Sequence, residues 1–302
     1  MSVDLDEIEC YQQIHGFAAG VKMHAVYDVA LKRIRDFSSS LRLPLTLFVI
    51  ARDLDRDSNC AGIREMVCDG HEVGNHSLDH LYGLTRRGAE EQSHQIDAAN
   101  VKIRAAVGVR PTGFRAPGYT VTDGLLRAVR ASGLSYDSSV FPSPVYYAAK
   151  AAALLKMRLR GQRSSAILDS LHVLGAPRVP YRVGQPYWLR GKGLLELPIQ
   201  AACRIGVPFI GTTLTLLGPT AARALTRTLI GTPFVNLELH GLDFLEAQDV
   251  PQSLLAKQPD LRVALQRKLD ALAAVIQTLR GQSYHPVRLD EAARIFGAGT
   301  GV

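Results

Sequence analysis

Six residues of this sequence have the types and spacing to run a hydrolysis. His76 and His80 stand four apart in Gly70-His71-Glu72-Val73-Gly74-Asn75-His76-Ser77-Leu78-Asp79-His80. On a helical turn that spacing puts both imidazoles on one face, where they can share a metal ion. For an isolated pair the plainer reading is two surface histidines on one turn. Asp4 and Asp6 open the chain with Leu5 between them. Alternate residues of a strand point the same way, so both carboxylates can face one site. One would bind the metal and the other take a proton from water; an exposed acidic terminus is the alternative. Two histidines, one carboxylate and an open position describe a catalytic rather than a structural metal site.

Arg115 lies in Gly113-Phe114-Arg115-Ala116-Pro117-Gly118-Tyr119. An arginine at a strand end holds a carboxylate in a fixed orientation. The Pro-Gly turn after it can present a backbone N–H near Gly118 or Tyr119 to a developing oxyanion. A structural ion pair on a tight turn is the competing reading. His240 ends the run Val235-Asn236-Leu237-Glu238-Leu239. At a strand's carboxyl end it suits a general acid that protonates a leaving amine, although a lone histidine there is more often a hydrogen-bonded core residue. Asp137, in Tyr136-Asp137-Ser138-Ser139, either orients another group or caps a turn, and capping is preferred. Asp28 competes as the opening carboxylate but ranks lower, because it begins a helix.

These residues need a frame that brings them together. Strand signals fall at Ser2–Leu5, Leu45–Ile50, Glu72–Gly74, Gly113–Arg115, Leu134–Asp137, Leu194–Pro198, Phe234–His240 and Val287–Leu289, from β-branched, aromatic and apolar content. Helical spacing falls at Tyr27–Phe37, Ala61–Cys68, Gly88–Val107, Thr122–Ser132 and Pro259–Arg280. Alternation of this kind predicts a parallel sheet, here a distorted β/α barrel of about seven strands. In such barrels the chemistry sits at the carboxyl ends of the strands, where all the polar candidates fall.

The totals bound the answer further. A chain of 302 residues with 47% hydrophobic residues can close a core without disulfides. No linker or repeat divides it, so a single domain over 1–302 is expected. Cys10, Cys60, Cys68 and Cys203 form no CxxC pair, which argues against a zinc cluster or a disulfide scaffold and for reduced thiols in the cytoplasm. The acidic start MSVDLDEIEC does not read as a signal peptide. The uncharged window Ile205–Ala222 contains Pro208 and reads as buried strand and loop rather than a membrane helix.

Net charge is +7, and it is concentrated. Between Ala148 and Lys192 stand Lys150, Lys156, Arg158, Arg160, Arg163, Arg178, Arg182, Arg190 and Lys192, opposed only by Asp169. The segment at about 142–192 leaves a strand's carboxyl end, so it should hang over the active-site face. Its mixture of cations and apolar residues suits a phosphate-bearing, lipid-linked substrate at a membrane surface; a solvated lid is the alternative. On a helical projection the two kinds of residue separate poorly. No nucleic-acid motif accompanies the charge.

The order of these pieces resembles the polysaccharide deacetylase family with the NodB homology domain, of the carbohydrate esterase family 4 type. Leu45–Ile50 is similar to that family's TFFV strand and Gly70–Gly74 to its GHEIG turn. The resemblance spans roughly 1–141 and 194–292, leaving the basic segment as an insertion. It implies a NodB-like barrel and removal of an N-acetyl group from a sugar. It implies Asp4 as general base, Asp6, His76 and His80 as metal ligands, Arg115 tuning Asp4, and His240 as general acid. The sequence departs from the family where Leu5 separates the aspartates, which leaves the base and ligand roles exchangeable, and where Gly118 replaces a tyrosine, with Tyr119 one place later. Zinc is the expected metal, although cobalt, iron and nickel accept the same ligands. The other functions considered are a deformylase or cyclic-amide hydrolase on the same fold, and a carbohydrate-binding protein without activity.

Overall fold

The computed structural model describes residues 1–17, 23–168 and 170–298. Asp169 therefore lies outside the described residues. The strands are β1 (Ser2–Asp4), β2 (Thr46–Val49), β3 (Glu72–Asn75), β4 (Gly113–Phe114), β5 (Tyr136–Asp137), β6 (Tyr181–Val183), β7 (Arg190–Glu196), β8 (Ala201–Ala202), β9 (Val207–Pro208) and β10 (Glu238–His240). Between and after them run α1 (Ile8–Ile14), α2 (Leu31–Ser40), α3 (Asp57–Cys68), α4 (Ala89–Val107), α5 (Asp123–Ala131), α6 (Pro144–Leu159), α7 (Gly211–Arg227), α8 (Gln252–Leu255), α9 (Leu265–Arg280) and α10 (Leu289–Ala298).

The main sheet has the order β10-β1-β2-β3-β4-β5-β7-β6. Its first seven members pair in parallel, and β6 joins β7 antiparallel at the edge. No ladder joins β7 to β10. Gln200 N donates to Asn236 O at 3.1 Å and Asn236 Nδ2 to Leu197 O at 2.9 Å, closing the gap. The result is the distorted barrel of seven parallel strands that the alternation predicts. Val3, Leu5, Leu47, Val49 and Val73 face the helical shell in the main apolar core. The intervening residues face the barrel interior, where Ser2, Asp4, Thr46 and Glu72 stand beside an apolar cluster that includes Phe48, Tyr136, Leu195 and Leu289. Glu72 holds its lower end, accepting from Tyr136 OH (2.8 Å), Thr46 Oγ1 (2.6 Å) and Asp290 N (2.9 Å), so the first turn of α10 plugs the barrel.

Several local readings need correction. Val287–Leu289 forms no strand; the chain there enters α10. Ile205–Ala222 is not strand and loop throughout, since α7 begins at Gly211 and is broken at Gly218, where φ is +77° before Pro219. Only the last three residues of Phe234–His240 join the ladder. Among the described residues no helix is long and apolar enough to cross a membrane.

Gly113 is required by close approach. A Cβ there would lie 1.9 Å from Cζ of Tyr136, and the Tyr136 hydroxyl is held by Glu72. Gly113→Ala is therefore expected to destabilise the fold by about 1–3 kcal/mol, the usual cost of overpacking, measured by urea unfolding. An unchanged midpoint would show that the Tyr136 ring can move aside.

Candidate active site

The parallel ladders bring the sequence's chemical residues to one end of the barrel. Register pairs Asp4 with His240 on one side and Phe48 on the other. Leu5 N donates to Phe48 O at 3.0 Å, so the chain stays extended past β1. Asp4 and Asp6 then project into the site while Leu5 enters the core, as strand alternation requires.

His76 and His80 are not on a helix. They follow β3 in an irregular loop where Ser77 and His80 have φ of +65° and +54°. Asn75 Oδ1 accepts from Ser77 N at 2.7 Å, and Ser77 Oγ accepts from His80 N at 3.0 Å. These bonds stabilise left-handed backbone that bulky residues seldom adopt. The loop still places the imidazole centroids 4.7 Å apart.

Asp6 faces both rings, with Oδ1 at 3.1 Å from His76 Nε2 and Oδ2 at 3.3 Å from His80 Nε2. His76 Nδ1 lies 2.8 Å from Arg115 O. A carbonyl only accepts, so Nδ1 carries a proton and Nε2 is the nitrogen turned towards Asp6. Asp6 Oδ1 and both His80 nitrogens are buried without a hydrogen-bond partner. Asp6 and the two imidazoles thus converge on one point with buried polar atoms left unpartnered, an arrangement that a cation between them satisfies. One ligand atom from each residue fits within 4.8 Å of the others. The donor set fits a divalent metal, and the backbone carbonyl on His76 is the outer partner such ligands normally have.

Beside this trio lies a second one, Asp4, Glu238 and His240, equally compact. Here protein groups supply the positive charge. Arg115 Nη1 donates to Asp4 Oδ1 at 2.7 Å and to Ser2 Oγ at 2.9 Å. Nε donates to Ser138 O and Nη2 to Ser138 Oγ, both at 2.8 Å, and the guanidinium sits 4.3 Å over the Phe48 ring. His240 Nδ1 is 3.1 Å from Glu238 Oε1, its Nε2 is 3.2 Å from Tyr119 OH, and its backbone N–H donates to Asp243. Burial alone would lower the His240 pKa. The Glu238 carboxylate, with Asp6, Asp4 and Asp243 beyond it, outweighs burial and pushes it up to about 9.

The Pro117-Gly118-Tyr119 turn has both Gly118 and Tyr119 at positive φ, +63° and +60°. Tyr119 N is committed to Ala116 O at 3.1 Å, which leaves Gly118 N as the turn's candidate oxyanion donor. Asp137 caps, as preferred: it accepts from Ser139 N and Ser139 Oγ, and Ser139 Oγ accepts from Ala116 N, so the cap braces the Arg115 turn. Asp28 lies away from the site, paired with Arg56 at 2.5 Å. Glu238, Ser2 and Ser138 were missed by the sequence reading. Glu238 had a signal, a carboxylate inside an apolar strand; the two serines had none.

Residues 26–136 match the family model described as polysaccharide deacetylase. The match covers just over a third of the chain, so it is a resemblance over that segment. The segment contains His76, His80, Arg115 and Gly118, while Asp4, Asp6 and His240 reach the site from outside it. No curated protein matches the chain. Among solved structures, Puue allantoinase is 18% identical with a TM-score of 0.59, covering 100% of this chain and 90% of that one. A candidate polysaccharide deacetylase from Mycobacterium smegmatis is 18% identical with a TM-score of 0.53, covering 94% and 90%. A carbohydrate esterase family 4 pseudoenzyme from Bacillus anthracis, BA3943, is 12% identical with a TM-score of 0.50, covering 97% and 63%. At these identities the likeness is one of fold.

If Asp6, His76 and His80 are the metal ligands, Asp6→Ala or His80→Ala lowers zinc affinity by about 100-fold or more in a chelator competition. Asp4→Asn costs less, about 10-fold, the lower end of what a group outside the ligand set costs. Equal losses in all three would place Asp4 among the ligands.

Proposed function

We propose that the protein is a metal-dependent hydrolase that removes an N-acetyl group from a sugar, in a glycan or a lipid-linked saccharide. The observation that carries this reading is the pair of adjoining trios, one of a carboxylate and two imidazoles with neither arginine nor lysine on it, and one in which Arg115 holds Asp4 and His240 faces Glu238. A bound divalent metal, with zinc the first choice for this donor set, would polarise the amide carbonyl and acidify a neighbouring water. Asp4, fixed through Oδ1 by Arg115, keeps Oδ2 for the water's proton. Water oxygen then bonds to the acyl carbon. Gly118 N donates to the oxyanion. The C–N bond breaks as protonated His240 delivers its proton to the departing amine, leaving acetate and a free amino sugar. Tyr119 and Glu238 hold the His240 ring in place. All six sequence candidates stand together, which speaks against a binding protein without activity. The proposed location is the cytoplasm, supported by four cysteines without disulfide partners.

The test is acyl release. Zinc-loaded protein is incubated with N-acetylated and N-formylated sugars, and acetate and formate are assayed separately. Acetate is expected, and Asp4→Asn should lower its rate by about 10²–10⁴, the usual share of a general base. Formate alone would move the assignment to a deformylase. Neither product from metal-loaded protein would contradict the hydrolase reading.

The pH dependence has a defined sign. His240 acts when protonated, so kcat/KM should hold below about 9 and fall as pH rises through that value. Glu238→Gln removes the carboxylate that raises His240 and should move this limb to lower pH. A limb unmoved by the substitution would separate His240 from the acid step.

A further inference from the structure

Helix α6 carries two apolar faces. Tyr147 and Leu154 lie on the inner one, turned towards the body of the protein, with Tyr147 buried. The opposite side presents Ala148, Ala152, Leu155 and Leu159, all exposed, with Leu155 58% and Leu159 80% open to solvent. Their spacing of four, three and four residues makes one continuous stripe along the helix. Lys156 and Arg160 border the stripe on one side and Arg158 on the other, all exposed. The basic and apolar residues mix on a projection because one apolar stripe faces inward, another outward, and the cations stand at the boundaries. An isolated apolar surface residue is ordinary, but an aligned outward stripe on a helix already packed on its other side is not.

The helix is tied to both walls of the active site. At its start, Lys150 Nζ donates to Gly118 O at 3.2 Å and the Tyr146 ring lies 5.8 Å from Tyr119. Just past its end, Ser164 Oγ donates to Ile14 O at 2.6 Å and Ser165 N to Gln13 O at 3.4 Å. Gly118 follows Arg115, and Gln13 lies in α1 behind Asp6. The 16 residues of α6, roughly 24 Å of helix, therefore run from one side of the catalytic end to the other.

We infer that the outer face of α6 docks on the surface of an anionic lipid bilayer, setting the active-site end against the membrane. An apolar stripe flanked by cations is the pattern of a helix lying in the interface plane, with leucines among the acyl chains and cations among the headgroups. Charge decides against a second copy as the occupant, because two such faces would bring their cations together. No carboxylate lies between Val140 and Leu168 to offset them. The inference deepens the lipid-linked form of the proposed substrate and rests on that reading for the substrate alone; the docking surface stands on the helix itself.

The test is co-sedimentation of the full chain with phosphatidylcholine vesicles, with and without phosphatidylglycerol. Wild type should sediment with the phosphatidylglycerol vesicles and be released by salt. A Leu155→Glu, Leu159→Glu double variant should partition about tenfold less or worse. A Lys156→Gln, Arg158→Gln, Arg160→Gln variant should lose the preference for phosphatidylglycerol. Circular dichroism establishes that both variants are folded. No sedimentation at low salt, or equal sedimentation of the leucine variant, would overturn the inference. So would a concentration-dependent dimer that the leucine variant abolishes. Sedimentation is read without any reaction, so a failed hydrolase assignment and a failed docking surface remain distinguishable.

Discussion

The burial of the Arg115 guanidinium is the constraint on which the site depends. It is fully enclosed, and an enclosed cation without partners would cost several kcal/mol. Its partners come from three places in the barrel: Ser2 and Asp4 on β1, Phe48 on β2, and Ser138 just after β5. Removing one partner of such a pair typically costs about 3–5 kcal/mol. The same residue's carbonyl receives His76 Nδ1 and so sets which nitrogen of that ring faces Asp6. One side chain and its own backbone thereby orient both the proposed base and a proposed ligand.

Charge then divides the site in two. Around Asp4 and Glu238 the protein provides Arg115 and His240, whose pKa the Glu238 carboxylate pushes up to about 9. Around Asp6 it provides two imidazoles and neither arginine nor lysine. That asymmetry is what supports the proposed division between a metal place and an acid-base place, although both trios fit within 4.8 Å and share one end of the barrel. A fold match at 18% identity could not make the distinction, since it carries no chemistry.

Much of the frame was legible because the physics is local. Alternation about Leu5 placed Asp4 and Asp6 in one site, and strand-helix alternation gave a barrel of seven parallel strands. The HxxxH spacing picked out a pair of rings that the fold does bring together, but not on a helix. The rings meet through two left-handed residues and serine and asparagine caps, which helical periodicity cannot reveal. Val287–Leu289 read as a strand because its apolar residues serve a helix start that plugs the barrel. Ser2 and Ser138 were silent because their role depends on a guanidinium more than 100 positions away for Ser2 and 23 for Ser138. The two-faced pattern of α6 looked like disorder in the projection until burial showed which face was inward.

The central claim is that Asp6, His76 and His80 hold a metal while Asp4 does not. Anomalous diffraction from zinc-loaded crystals tests it most directly. The account predicts one peak at about 2.0–2.2 Å from Asp6, His76 Nε2 and His80 Nε2, with Asp4 still on Arg115. A peak held by Asp4, Glu238 and His240, or no bound zinc at a saturating concentration, would contradict it.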